Sequence, residues 1–274
     1  MDPKLQRRVQ RYGWDKAAGY YEQSWQHQLE PAQNTLLARA ALGPGDRVLD
    51  VACGTGLVTF PAAKAVGPAG AVVGVDLSEV MVNLARARAD AHGVDRVSFE
   101  RMDAEQLTLP DASFDAALCA LGLMYVPDVP RAIDEMVRVL APGGRFAAAV
   151  WGRRQRCGWA EIFPIVDARV TSEVCPLFFA LGSADRLSML VEDAGLTEIV
   201  TDRIETRLAW TSAEDACGAA FVGGPVALAY SRFDASTRRA VDAEYLASIA
   251  AWRNGAGGYD VPGEFVVVSG RKPR

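Results

Sequence analysis

Between Arg47 and Trp151, short apolar runs alternate with longer segments of helical spacing, and no other feature limits the possible folds as strongly. The runs are RVLDVA (47–52), AVVGVDL (71–77), VSFERMDA (97–104), FDAALCAL (114–121) and RFAAAVW (145–151). The spacing predicts a helix over Leu57 to Val66, bent or restarted at Pro61. A second helix is predicted from the Ser78 cap to the Gly93 stop, with Val80, Met81, Leu84 and Ala91 on one face. A third carries Ile133, Met136, Val137 and Leu140 at i, i+3, i+4 and i+7 and closes at Pro142-Gly143-Gly144. Continuous apolar strands separated by amphipathic helices require a parallel sheet covered on both faces. The expected fold is α/β and doubly wound, and ligands of such sheets sit beyond the carboxyl ends of the strands.

The flanks are read in the same way. Residues 1–43 form a helical cover, with Pro31 in a first turn, Leu36, Leu37, Ala40 and Ala41 at helical spacing, and Gly43-Pro44-Gly45 as the stop. Residues 152–183 are rich in aromatics (Trp159, Phe163, Phe178, Phe179) without a clear period. They form a lid over a flat substrate, packing at the sheet edge, or a homodimer contact. Beyond them come a helix at 184–194, a long strand LTEIVTDRIETRLAW, helices at 212–222 and 237–252, and a terminal strand GEFVVVSGRK. All of this reads as a single domain with a covering element.

Bulk properties remove several function classes. The formal charge of −5 argues against broad nucleic-acid binding, which needs a basic face. The run Arg153-Arg154-Gln155-Arg156 reads as a solvated loop. Apolar stretches such as 116–126 fall short of the roughly 20 residues of a membrane helix, so no membrane span is expected. The five cysteines are odd in number and form no C-x-x-C pair. With no secretory leader in the sequence, they are expected to be reduced thiols of a cytoplasmic protein. His27 and His92 are far apart, which argues against a zinc site.

The chemistry starts at VLDVACGTGLVT (48–59). A dinucleotide fingerprint would carry a third glycine at position 59, where this chain has Thr59, and no Gly-Lys-Ser/Thr follows to make a phosphate-binding Walker loop. Asp50, just before the turn, suits a ligand with a positive group. Asp76 ends the second run, where a carboxylate can accept hydrogen bonds from both hydroxyls of a ribose. Asp103 ends the third, placed to accept from an adenine amino group with Met102 and Ala104 beside the ring. Each acid alone would pass for a cap or a turn former. Three of them at successive strand ends describe a nucleoside site.

These residues resemble a known family. VLDVACGTG, VVGVDLS, MDAEQLTLPDASFD and EMVRVLAPGGRF are similar to the motifs of class I S-adenosylmethionine-dependent methyltransferases, and in particular to the ubiquinone/menaquinone biosynthesis methyltransferases. The resemblance covers roughly residues 12–151. It implies a Rossmann-like seven-stranded sheet with the last strand antiparallel between the fifth and sixth. It divides the chain into a cover (1–43), a cofactor-binding half (44–151) and a C-terminal half with substrate-covering insertions (152–274). By position it implies S-adenosyl-L-methionine as cofactor, with Asp50, Cys53, Gly54 and Gly56 along the methionine half and Asp76 and Leu77 on the ribose. Met81 would approach the nucleoside, Asp103 and Ala104 the adenine, and Ala120 the amino group. Tyr21 would close over the carboxylate end.

Methyl transfer from a sulfonium is an in-line displacement that mainly requires alignment and exclusion of water. Leu123, Met124 and Tyr125 follow the fourth run, and such residues suit an apolar or aromatic small-molecule acceptor. His27 and Tyr125 are the candidate general bases. Three rival readings remain open: an NAD-dependent oxidoreductase, a cofactor-binding protein without transfer, and thiol or metalloid methylation through Cys157, Cys175 and Cys217.

Overall fold

The computed structural model describes residues 3–170 and 177–274. The elements in chain order are α1 (Pro3–Ala40), β1 (Arg47–Val51), α2 (Thr59–Val66), β2 (Ala71–Asp76), α3 (Glu79–His92), β3 (Val97–Arg101), β4 (Phe114–Ala120), α4 (Val129–Val139) and β5 (Leu140–Trp151). They continue as α5 (Ile162–Asp167), α6 (Arg186–Asp193), β6 (Thr197–Trp210), α7 (Ala213–Cys217), α8 (Ala227–Ser231), α9 (Ala235–Ser248) and β7 (Tyr259–Arg271). Among the described residues the strands form one seven-stranded sheet in the order β3-β2-β1-β4-β5-β7-β6. Neighbours from β3 through β5 are parallel, whereas β7 runs antiparallel between β5 and β6. This is the doubly wound sheet expected from the alternation, with the last strand where the resemblance put it.

The central strands are buried on both faces, and Ala116, Ala117, Ala147, Ala148 and Ala149 are inaccessible to solvent. Small side chains at mid-sheet let the covering helices approach closely. β6 is one of the two edges, opposite β3, and behaves as one: Arg203, Glu205 and Arg207 alternate along it beside half-buried neighbours. The arginine run is solvent-facing and ion-paired, with Arg153 bonded to the buried Glu264 at 2.7 Å and Arg154 to Glu161 at 3.1 Å.

Several local expectations are corrected. Pro31 is not in a first turn but inside α1, which runs 38 residues without a stop until Ala40. Pro61 causes no bend, because α2 starts at Thr59 and Pro61 falls in the first turn, where a missing N–H costs nothing. Ser78 does cap α3, its Oγ accepting from the Met81 N–H at 3.2 Å, and Gly93 ends the helix in a left-handed conformation. The buried face of α3 is nonetheless Met81, Val82, Ala85 and Ala89, while Val80 and Leu84 are exposed. Apolar residues surround this helix, so period alone did not single out a face. Leu140 belongs to β5, and Pro142-Gly143-Gly144 sits at a register break in the β4–β5 pairing rather than ending α4. The short helices α5 and α8 were not anticipated.

Candidate active site

The chain winds outward from β1 through β2 to β3 and then crosses to β4 on the other side of β1, and the crevice this reversal opens lies at the carboxyl ends of β1 and β4. A cavity fills it, with about 790 Å³ of non-atom space reaching out through its open mouth. Asp76, Leu77, Met81, Met102, Asp103, Ala104 and Ala120 line its floor and sides, and Arg7, Gln10, Trp14 and Tyr21 of α1 roof it. Those four α1 residues fall on one helical stripe, so one face of a single helix supplies this side of the cavity. The backbone at the rim is strained. Ala52 (φ 57°) and Leu121 (φ 60°), just past β1 and β4, occupy the left-handed region and both line the cavity. Gly122 has no room for a side chain: a Cβ there would overlap that of Ala52 and lie 2.8 Å from Cys119 Sγ.

The Asp76 carboxylate accepts the Gly54 N–H at 2.9 Å and the Ser78 N–H at 2.8 Å, which ties the glycine turn to the start of α3. Burial nevertheless holds its pKa above the usual carboxylate range. Asp103, partly exposed, lies 3.1 Å from Arg7 Nε and accepts the Glu105 N–H at 3.0 Å. Its pKa is raised by burial, with Arg7 and Arg131 opposing. Arg7 also pairs with the buried Glu105, and Ser78 Oγ donates to Asp15 at 2.6 Å, so α1 is latched to the strand ends at two places.

Asp50 is 1% exposed and does not line the cavity. Its carboxylate accepts from Thr59 Oγ1 at 2.6 Å, so the residue that breaks the dinucleotide fingerprint is the partner of the acid that precedes the turn. Burial pushes Asp50 up to about 7, with Asp76 adding to the effect and Thr59 opposing it. Cys53 is packed with Val82, Ala85 and Phe99 on the far side of the loop, and burial raises its thiol well above the usual range. Gly54 lies under Tyr21: a Cβ there would sit 3.8 Å from the Tyr21 ring. Gly56 (φ 91°) has Phe60 behind it. Thus Cys53, Gly54 and Gly56 shape the loop without lining the cavity.

A second cavity of about 310 Å³ opens beside the first and shares Trp14, Tyr21, Leu121 and Tyr125 with it. Trp25, Trp151, Trp159 and Phe178 complete its aromatic wall, and among the described residues no charged side chain lines it. Trp159, Phe163 and Phe178 are at most 5% exposed and face into the chain, whereas Phe179 of the same segment is partly exposed. Tyr125 stands at the junction, edge-on to Trp14 at 5.2 Å and to Phe178 at 5.4 Å. Burial, followed by the charges of Asp76 and Asp50, raises Tyr21 well above the usual phenol range, so it is a protonated donor and not a base.

His27 is a correction. Its side chain is 83% exposed and paired with Glu30 at 3.0 Å, in a surface groove away from both cavities. Helical phase turns it outward, two residues past the buried Trp25. Cys157 lies in neither cavity, Cys217 lines that same surface groove, and Cys175 falls outside the described residues. The roof residues Arg7, Gln10 and Trp14 went unnoticed in the sequence, although the stripe they form with Tyr21 and Trp25 was there to be found.

The methyltransferase domain family matches residues 48–144. The chain is 34% identical over 191 residues to a demethylmenaquinone methyltransferase of Symbiobacterium thermophilum, covering 62% of this chain and 76% of that one. It spans about half the length of other curated relatives it matches. Among solved structures it is similar to the cyclase SpnF, at 25% identity and a TM-score of 0.59 over 91% of this chain and 83% of that one. It shares its fold with geranyl diphosphate C-methyltransferase from Streptomyces coelicolor, at 18% identity and a TM-score of 0.54 over 90% and 80% of the two chains. The chain therefore belongs to the class I S-adenosylmethionine-dependent methyltransferases. Within that class it resembles the ubiquinone and menaquinone biosynthesis enzymes.

Proposed function

We propose that the chain moves a methyl group from S-adenosylmethionine to a small, flat, apolar or aromatic acceptor seated in the aromatic cavity. The observation that carries this reading is the junction of two unlike cavities, one edged by strand-tip acids and the other walled by aromatic rings, at Trp14, Tyr21, Leu121 and Tyr125. S-adenosylmethionine, when bound, supplies a methyl group already activated on a positive sulfur. The chain's own residues do the rest. Asp76 offers its carboxylate oxygens to the ribose hydroxyls, and Asp103 faces the adenine edge between Met102 and Ala104. Asp50 offers buried negative charge beneath the loop, and Tyr21 closes over Gly54. The aromatic wall excludes water and orients a flat ring against Tyr125.

Among the described residues, Tyr21 and Tyr125 are the titratable side chains lining the aromatic cavity. This favours an acceptor that ionises readily by itself, such as a phenol, enol or quinol, with Tyr125 as a contact to it. We read the chain as one domain, with 1–43 as cover and 152–274 carrying the acceptor wall, and place it in the cytoplasm on the free thiols of Cys53, Cys119, Cys157 and Cys217. No helix among the described residues is long and apolar enough to cross a membrane.

Incubation with isotopically labelled methyl donor and a panel of phenols, quinols, amines and thiols tests the reading. Label is expected on a phenol or quinol. Tight cofactor binding with no label on any acceptor would favour instead a cofactor-binding protein that does not transfer.

A further inference from the structure

Of the four residues shared by the two cavities, three are aromatic: Trp14, Tyr21 and Tyr125. Each of the three keeps accessible surface, unlike the closed rings of Trp159 and Phe178 deeper in the wall. Trp14 stands almost perpendicular to both neighbours, at 89° to Tyr21 with centroids 5.5 Å apart and at 82° to Tyr125 with centroids 5.2 Å apart. Rings set in this way wall a corner, whereas stacked rings would cover one another's faces. Among the described residues, the charged side chains lining the cofactor cavity are Arg7, Asp76 and Asp103, and none of them also lines the aromatic cavity. Asp76 and Asp103 are assigned to the ribose and the adenine, and Asp50 is buried outside both cavities. A positive sulfur at the junction therefore meets rings where a carboxylate might have been expected.

The face of an aromatic ring is electron-rich and attracts cations, most strongly where water is excluded. We infer that Trp14 and Tyr125, with Tyr21 as a third wall, hold the sulfonium of S-adenosylmethionine by its charge and are specificity-determining residues for the charged donor over the neutral product. S-adenosylhomocysteine has lost the methyl and with it the charge, so the rings favour loading of the donor over retention of the product. This inference rests on the methyl-transfer reading only in placing the sulfur where the two cavities meet.

The test is calorimetric titration of the full chain with S-adenosylmethionine and with S-adenosylhomocysteine, without acceptor, so that the readout is a ratio of two affinities. Trp14→Leu removes a ring and should weaken S-adenosylmethionine about tenfold, with S-adenosylhomocysteine held within about twofold. Trp14→Phe keeps a ring and should recover most of the ratio. Tyr125→Leu and Tyr125→Phe form a second pair expected to behave in the same way. Rings that merely pack would weaken both ligands alike when removed. Biosynthetic replacement of tryptophan by its increasingly fluorinated forms carries the test where a leucine variant does not fold. Fluorine draws electron density from the ring face with little change of shape, and of the six tryptophans Trp14 is the one that lines the cofactor cavity among the described residues. Affinity for S-adenosylmethionine should fall with each added fluorine while that for S-adenosylhomocysteine stays level. Equal losses for the two ligands, leucine variants that match the phenylalanine ones, or an affinity indifferent to fluorination would overturn the inference. A chain that binds its cofactor in this way and transfers nothing would fail the labelled-methyl assay alone, so the two ideas fail separately.

Discussion

Replacing Asp50 with asparagine should stabilise the ligand-free protein while weakening its hold on the cofactor. The amide keeps the shape and can still accept from Thr59 Oγ1, now 2.6 Å from the carboxylate, but it removes a charge that is 1% exposed. Raising a carboxyl from its ordinary 3.8 to about 7 means that ionised Asp50 costs the fold roughly 4 kcal/mol, at about 1.36 kcal/mol per tenfold change. The folded protein binds the Asp50 proton more tightly than the unfolded chain does. Its contribution is therefore fully favourable below about pH 4 and is lost as the pH rises through 7. The advantage of Asp50→Asn should thus be absent at pH 4, about 2 kcal/mol near pH 5.5 and fully developed at pH 8. At roughly 2–4 °C per kcal/mol for a chain of this size, Tm at pH 8 should rise on the order of 10 °C. Thermal melts of both proteins from pH 4 to 8, repeated with S-adenosylmethionine, measure it. A variant no more stable than wild type at pH 8, or equally stabilised at every pH, would refute the argument that Asp50 is held against its own desolvation.

Other substitutions separate the roles of neighbouring residues. Asp76→Ala should weaken S-adenosylhomocysteine binding roughly ten- to a hundredfold by calorimetry, from about 1.5–3 kcal/mol of lost charged hydrogen bonding. It should also lower Tm, because the Gly54 and Ser78 N–H groups lose their acceptor. Gly122→Ala forces a Cβ into Ala52 and should cost about 1–3 kcal/mol in denaturant melts, together with cofactor affinity. His27→Ala should leave kcat and KM within twofold of wild type, since the ring is in solvent; a large fall in kcat would return it to the mechanism.

What could be read from the residues alone follows from how local each signal is. Strands β1, β2, β4 and β5 announced themselves because a parallel strand buried on both faces is a continuous apolar run; β3, an edge strand with only Phe99 buried, showed through its place in the alternation, and the acids at the tips came with them. Asp76 and Asp103 needed no knowledge of distant packing to be placed at one crevice. The faces of helices were a different matter. Val80 and Leu84 are apolar yet exposed, because α3 carries apolar residues all round. His27 and Trp14 lie on the same 38-residue helix, and which of them meets the cavity depends on how α1 lies across the sheet. That is a tertiary fact, and so is the gathering of Trp25 from α1, Trp151 from β5 and Trp159 from the turn before α5 into one wall. The Asp50–Thr59 bond lay between the two: both residues were noted, but their partnership requires the turn to be folded.

A crystal structure of the complex with S-adenosylhomocysteine tests the central claim most directly. The account predicts both ribose hydroxyls at about 3 Å from the Asp76 carboxylate, the adenine between Met102 and Ala104 at Asp103, and the sulfur at the Trp14–Tyr125 junction facing the aromatic cavity. Nucleoside density bound away from Asp76 and Asp103, or a sulfur turned from that cavity, would contradict it.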